Sequence, residues 1–304
     1  SSTSRGLGDV YKRQTMANLD QPIKIFIGCD PNNSDLEQMM VLDYSLHKHT
    51  SEPVEIIWMQ LSRDPSSVWY SNPQTGEGWH TEKWATPFSG FRWAIPEYCG
   101  FSGRAIYMDA DMVVLDDIAK LWQHPISDEA ILAAKGDGDL MRLCTCVWDC
   151  QKAKDYLEPV AQLQADPESH SKMMAKFKAN PQLIQLYQDS FNCVDGEDLA
   201  IEDIRILHYS DMGTQFSHKY SLPRLQAEGK THWFDGQILP HPRQDLVELF
   251  DTYYQEAIQA GYSIENYRTT PFGEFPKRTY KKGYRGNAVT RPAKKPSLFS
   301  RWFK

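Results

Sequence analysis

Apolar and polar positions first fall into a readable pattern at Ile23-Lys24-Ile25-Phe26-Ile27-Gly28-Cys29, a short β-rich run just after Pro22 with Asp30 next. It predicts a buried strand. Residues 35–47 follow with helical spacing, with Ser34 as a cap and Glu37 three residues on, the spacing of a capping box. Residues 54–61 read as a second strand, so the first forty residues of pattern form a βαβ unit and predict a parallel sheet. Residues 63–87 lose all period. They hold Trp69, Tyr70, Trp79 and Trp84 among Pro, Gly, Ser and Asn, which suggests a functional loop, either a lid or ligand platform or a packed surface segment.

Beyond the loop, residues 89–98 are helix-like and 103–108 form a third strand that runs into Asp109-Ala110-Asp111. The apolar run Met112-Val113-Val114-Leu115 and a helix over 116–122 come next. Strands are expected at 130–134 and 143–148, an amphipathic helix at 151–164, and a helix over 171–189 interrupted at Pro181. Strands at 191–194 and 204–207 follow, the second ending at His208, and a late helix covers 245–260.

Composition narrows the class. The 304 residues are 41% hydrophobic, which excludes global disorder. No apolar run reaches the roughly 20 residues that span a bilayer, and no secretory signal is evident, so residence in the cytosol is expected. Six cysteines are too few for a disulfide scaffold at this length. Residues 1–15 contain Asp-Val-Tyr-Lys-Arg-Gln, which resembles a translated transposon end from library preparation. They read as a non-native leader before Met16. Of 33 Lys/Arg, three lie in residues 1–15 and ten in 276–304; of 40 Asp/Glu, one lies in the leader and none in 276–304. The body, 16–275, therefore carries 20 basic against 39 acidic residues, net −19. That charge argues against nucleic acid as a partner. The basic tail, 276–304, with Phe299, Trp302 and Phe303 near its end, suggests peripheral attachment to an anionic membrane surface.

The strongest chemical signal is the acid pair Asp109 and Asp111 directly after a buried strand. Ligands gather at the carboxyl ends of strands in α/β sheets, and carboxylates at i and i+2 can converge on one hard divalent cation. An acidic turn is the plainer reading of the same motif. His208 leaves a later strand into the polar loop Tyr209-Ser210-Asp211-Met212-Gly213. It reads as a third ligand for a Mn²⁺-type ion or as a histidine packed at a strand edge. Asp137 and Asp139, and Asp195, Glu197 and Asp198, sit in two Gly-containing loops. Either loop could bring a carboxylate to a substrate or hold a solvated turn. Cys144, Cys146 and Cys150 lack a second paired half and read as buried strand cysteines, not a soft-metal site.

The stretch from Phe91 to Trp122 resembles the core of the family 8 glycosyltransferases and their glycogenin-like relatives. It has an arginine (Arg92) before the strand Tyr107-Met108-Asp109-Ala110-Asp111, then Val113-Val114-Leu115 and Leu121-Trp122. Cys29-Asp30-Pro31-Asn32 is similar to the family's first nucleotide-contacting turn, and His208-Tyr209-Ser210 to its late histidine. The resemblance implies an α/β GT-A fold with a mostly parallel central sheet flanked by helices. It implies a nucleotide-sugar donor such as a UDP-sugar, a glycan or lipid-linked acceptor, and Mn²⁺ or Mg²⁺ held by Asp109, Asp111 and His208. Asp30, Asn32, Arg92 and Asp109 would meet the donor. Lys230, in Lys230-Thr231-His232-Trp233, would face the diphosphate, and Asp195 and Asp137 are the acids offered for catalysis, with retention at the anomeric carbon expected. The chain departs from the family where Leu143-Cys144-Thr145 replaces Asn-x-Gly and where an Asp-Gln pair is missing. A nucleotidyltransferase and a non-catalytic membrane adaptor are the alternatives. The first needs a Gly-rich phosphate loop that Gly28-Cys29-Asp30-Pro31-Asn32 is not, and the second leaves the acid pair and His208 idle.

Overall fold

The computed structural model describes residues 21–137 and 140–274. The expectations for the leader 1–15, for Asp139 and for the tail 276–304 lie outside the described residues. The chain runs β1 (Ile23–Gly28), α1 (Leu36–His49), β2 (Val54–Met59), the short hairpin β3 (Ser71–Asn72) and β4 (Glu77–Gly78), α2 (Ile95–Tyr98), β5 (Arg104–Asp109), β6 (Met112–Val114) and α3 (Ile118–Trp122). It continues with β7 (Leu132–Asp137), β8 (Leu140–Asp149), α4 (Cys150–Ala153), α5 (Val160–Ala165), α6 (Ser169–Ala179), β9 (Ile184–Tyr187), β10 (Cys193–Val194), β11 (Ile206–His208), α7 (His218–Ala227) and α8 (Gln244–Gln259). Among the described residues, no helix is long and apolar enough to cross a membrane.

Six strands form the central sheet in the order β2-β1-β5-β8-β7-β9. The β1 pairings with β2 and β5 are parallel, as is β7 with β9, while β8 runs against both its neighbours. The expected mostly parallel sheet flanked by helices is therefore present. Its two faces follow the period of a strand. Phe26, Ala105, Tyr107, Cys146 and Trp148 pack on one face, and Ile25, Ile27, Ile106, Met108 and Val147 on the other, where Leu36 and Met39 of α1 cover them. A second small sheet, β10-β11-β6, stands beside the first.

Four local expectations are corrected. Asp35, not Ser34, occupies the N-cap position of α1 and makes no side-chain cap bond. Its carboxylate is drawn instead to His232 and Trp233, while Glu37 pairs with Arg224 at 2.6 Å. The helix expected over 151–164 is broken into α4 and α5, because Pro159 has no N–H to continue the ladder and restricts the residue before it. Residues 184–187 are the edge strand β9, not the end of a helix. Trp69, Trp79 and Trp84 are 7%, 2% and 2% exposed and close around Phe91 with ring centroids 4.9–5.6 Å from it. These rings are core, so they offer no platform to a sugar.

Candidate active site

The site grows from the ends of two parallel strands. Gly28 of β1 lies opposite Asp109 of β5, and the Ala110 N–H donates to the Gly28 carbonyl at 3.1 Å. The Asp30 turn and the acid pair therefore leave adjacent strand ends, the position where α/β sheets place ligands. The chain then turns at Asp111 and enters β6, which pairs antiparallel with β11 so that His208 faces Met112. The Tyr209 N–H donates to the Asp111 carbonyl at 2.9 Å. Two backbone ladders thus bring residues a hundred positions apart to one point.

Nε2 of His208 is 3.2 Å from Oδ1 of Asp111. Oδ2 of Asp111 accepts from the Gln215 amide at 2.7 Å, and Gln215 is itself held by Gln38 of α1. Asp109 accepts a hydrogen bond from the Tyr107 hydroxyl and lies 3.8 Å from the buried Arg92 guanidinium. Arg92 also donates to the Ser89 and Leu143 carbonyls and to Tyr107, so it is fixed rather than mobile. Burial raises the Asp109 carboxyl above its ordinary range, Arg92 opposes this, and the neighbouring Asp111 adds to it. For His208, burial works against the charged form, but the Cys144 sulfur and Asp111 outweigh it and hold the imidazole well above its usual value. Nδ1 of His208 is buried with no hydrogen-bond partner among the described residues.

A third residue joins them. Donor atoms of Asp109, Cys144 and His208 all lie within 4.8 Å of one another. Cys146 and Cys150 are buried as expected, but Cys144 is only half-buried and stands in the acid–histidine cluster. The cause is a bulge. Opposite β7, the pairing of β8 jumps from Ala134↔Cys146 to Lys135↔Arg142, while β5 still pairs through Met108↔Thr145. Of residues 143–145, Thr145 keeps its β5 partner Met108, and Cys144 packs against the Ile25 and Met108 face while Cys146 packs on the opposite one. Sequence spacing alone carried no sign of this irregularity. The donor set fits a divalent cation: one carboxylate, a histidine nitrogen with nothing bonded to it, a second carboxylate on that histidine and a thiol.

The remaining expected residues are distributed around this cluster. Asp30 is buried, and its Oδ2 accepts from the N–H groups of Asn32 and Ser34 at 2.8 and 2.7 Å. Burial, with Asp35 nearby, pushes its carboxyl up to about 7. The Asn32 side chain is taken by the backbone of Gly273, which it clasps through both its amide nitrogen and its oxygen at 2.9 Å. Lys230 pairs with Glu228 at 2.8 Å, although His232 and Trp233 in the same segment bind Asp35 beside the Asp30 turn. Asp195 is buried next to β11: its N–H donates to the His208 carbonyl, and its carboxylate accepts from Ser210 and meets His241 at 3.1 Å. Asp137 faces Arg142, which also binds Glu197 at 2.7 Å. The two acidic loops thus meet at one arginine, and Asp137 is not among the groups gathered at Asp109. Cys144, Gln215 and His241 were not foreseen. Only Cys144 gave a signal, as part of the run Leu143–Trp148 that stands where the family has Asn-x-Gly.

A mostly parallel central sheet flanked by helices, with a small second sheet beside it, is the GT-A fold. Residues 42–181 match the model of glycosyl transferase family 8. The matched stretch includes Arg92, Asp109, Asp111 and Cys144, and ends before Asp195 and His208. No curated protein matches the chain. Among solved structures, the galactosyltransferase LgtC in complex with donor and acceptor sugar analogues is similar at 12% identity, covering 77% of this chain and 96% of its own, with a TM-score of 0.50. The glycosyltransferase GlyE of Streptococcus pneumoniae TIGR4 shares 14% identity over 84% of this chain and 66% of its own, at a TM-score of 0.48. The bifunctional glycosyltransferase WbbM shares 13% identity over 63% of this chain at a TM-score of 0.41, and this chain spans 46% of its length.

Proposed function

We propose that this chain transfers a sugar from a nucleotide-diphosphate donor, with UDP the first nucleotide to test, to a glycan or lipid-linked acceptor, and that the reaction depends on a divalent cation. The observation that carries the reading is that Asp109 of the six-stranded sheet and His208 of the three-stranded one come together, with Asp111, in the turn between β5 and β6, 3.2 Å from His208. Asp109, Asp111 and His208 would hold Mn²⁺ or Mg²⁺, which supplies charge neutralisation for a departing diphosphate when bound. Arg92, fixed behind Asp109, adds a second positive charge on the same side of the strand end. Asp30, whose second carboxylate oxygen has no hydrogen-bond partner among the described residues, is free to accept from a nucleoside there. Asp195 supports the His208 strand from behind, which makes it a positioning residue in this reading. Retention at the anomeric carbon follows from the family resemblance. The basic tail would hold the enzyme peripherally on an anionic membrane, near a lipid-linked acceptor.

The test is release of nucleoside diphosphate from a panel of nucleotide sugars with and without Mn²⁺. Metal-dependent release is expected, and Asp109→Asn and His208→Ala should each abolish it while leaving the melting curve of the metal-free protein in place. Release that ignores added chelator, or an unaltered rate in His208→Ala, would overturn the reading. For the tail, the full chain should co-sediment with anionic vesicles at low salt and a chain ending at residue 275 should not.

A further inference from the structure

We propose that Cys144 is a ligand of the same cation, giving this site a sulfur donor beside its carboxylates and histidine and making it prefer a softer ion such as Zn²⁺ or Co²⁺ over Mn²⁺. The inference rests on the reading of Asp109 and His208 as ligands. Its own support is separate. The Cys144 sulfur lies within 4.8 Å of the donor atoms of both Asp109 and His208. Across the irregular pairing of β8 with β7, Cys144 packs on the opposite face from Cys146, out of the regular alternation, and re-aiming a side chain beside a site is what bulges do. His208, 7% exposed, presents a buried Nδ1 with no hydrogen-bond partner among the described residues in this cluster.

The surroundings also suit a sulfur ligand. The Asn192 side-chain amide, fully buried, donates to the Cys144 sulfur at 3.1 Å. Such a donor orients the sulfur and stabilises the charge it carries when bound, as partners of metal ligands generally do. On coordination the S–H bond breaks, the sulfur–metal bond forms from the thiolate lone pair, and the proton passes to solvent. Thiolate selects for softer first-row ions, whereas a carboxylate and imidazole set alone accepts Mn²⁺ or Mg²⁺. A thiolate from Cys144 would thus change which ion the site holds, not whether it holds one.

Titration of the full chain with Co²⁺ tests this spectroscopically, without reference to turnover. The wild type should develop a sulfur-to-cobalt charge-transfer band in the near ultraviolet together with visible d–d bands. Cys144→Ser should lose the first and keep the second, because the remaining ligands still bind. By calorimetry Cys144→Ser should weaken Zn²⁺ by at least ~10-fold, the low end for even a supporting residue, while Mn²⁺ changes far less. Cys144→Ala should behave alike, which separates sulfur from any effect of the serine hydroxyl. A wild type that binds Co²⁺ with no sulfur band, or a band that survives in Cys144→Ser, overturns the assignment of Cys144 and leaves the metal site standing. A wild type that binds no Co²⁺, Zn²⁺ or Mn²⁺ overturns both.

Discussion

Gly90→Ala should destabilise the protein through the tryptophan cluster that supports Arg92. Gly90 has φ −81° and ψ −14°, a conformation alanine adopts freely, so the backbone raises no objection. The objection is spatial. A Cβ at this position would lie 2.1, 2.4 and 2.7 Å from Cζ2, Cε2 and Cη2 of Trp84. Real Cβ contacts are rarely under 3.4 Å, so the indole must move by more than 1 Å. It has nowhere to go, since it is 2% exposed and meets Phe91 and Trp79 edge-on at 5.3 and 5.7 Å. Overpacking a filled core costs about 1–3 kcal/mol, and three locked aromatics place this case at about 2–3 kcal/mol. At about 2 °C per kcal/mol for a large domain, the melting temperature falls by roughly 4–6 °C. Urea unfolding of Gly90→Ala, Trp84→Phe and the double variant forms the assay, because Trp84→Phe removes the ring atoms that the new methyl strikes. On the Trp84→Phe background the alanine should cost less than about 1 kcal/mol. An equal cost in both backgrounds, or a cost under about 0.5 kcal/mol in the wild type, would refute the steric account.

Asp30→Asn should become progressively more stable than the wild type as pH rises. The native carboxyl titrates near 7 against an ordinary 3.8, so the folded state binds the extra proton. Its stabilising contribution is complete below about pH 4 and is lost as pH rises through 7, up to about 4 kcal/mol for three units. Urea midpoints at pH 5 and 8 measure it, and a difference that does not change with pH would contradict the burial argument. His241→Ala should cost about 1.5–3 kcal/mol, since it removes a partner from the fully buried Asp195 carboxylate. A change under 0.5 kcal/mol by chemical denaturation would show that Ser210 satisfies that carboxylate alone. Arg92→Met should lower activity even where the chain still folds, because Asp109 loses its only ion pair with a basic side chain among the described residues; an unchanged rate would remove Arg92 from the site.

The central elements were legible because they obey simple periods. β1, α1, β2 and β5 carry alternating or helical apolar spacing, and the acid pair follows a strand of six residues that is buried almost throughout. Their order was enough to anticipate the sheet and to single out Asp109 and Asp111 as candidates, whereas His208 was favoured as a ligand only through the family resemblance. The capping box misled because Ser34 and Glu37 have the right spacing, but tertiary partners compete for the same groups: Asp30 takes the Ser34 N–H and Arg224 takes Glu37. The aromatic loop misled in a similar way. Its lack of period is real, yet the indoles bury against Phe91 of a turn later in the chain. Cys144 was misread as core because a regular strand would have kept it there. The bulge that frees it depends on how β8 meets β7, a pairing that no local window contains.

The union of two sheets at His208 has a thermodynamic consequence. Asp109 belongs to the six-stranded sheet, His208 to the three-stranded one, and Asp111 to the turn between them. An ion gripped by all three is a cross-link between bodies whose strands lie a hundred residues apart in sequence. It can be held only by a chain in which both sheets have formed and docked, so its binding free energy is coupled to folding. Linkage sets the size: free cation at 100 times its dissociation constant adds about 2.7 kcal/mol. Under the proposed function, availability of the metal would then govern how long the molecule survives as well as how fast it works. The segment from 42 to 181 carries the family's pattern but neither the central strand β1 nor His208, so expressed alone it would lack that clasp.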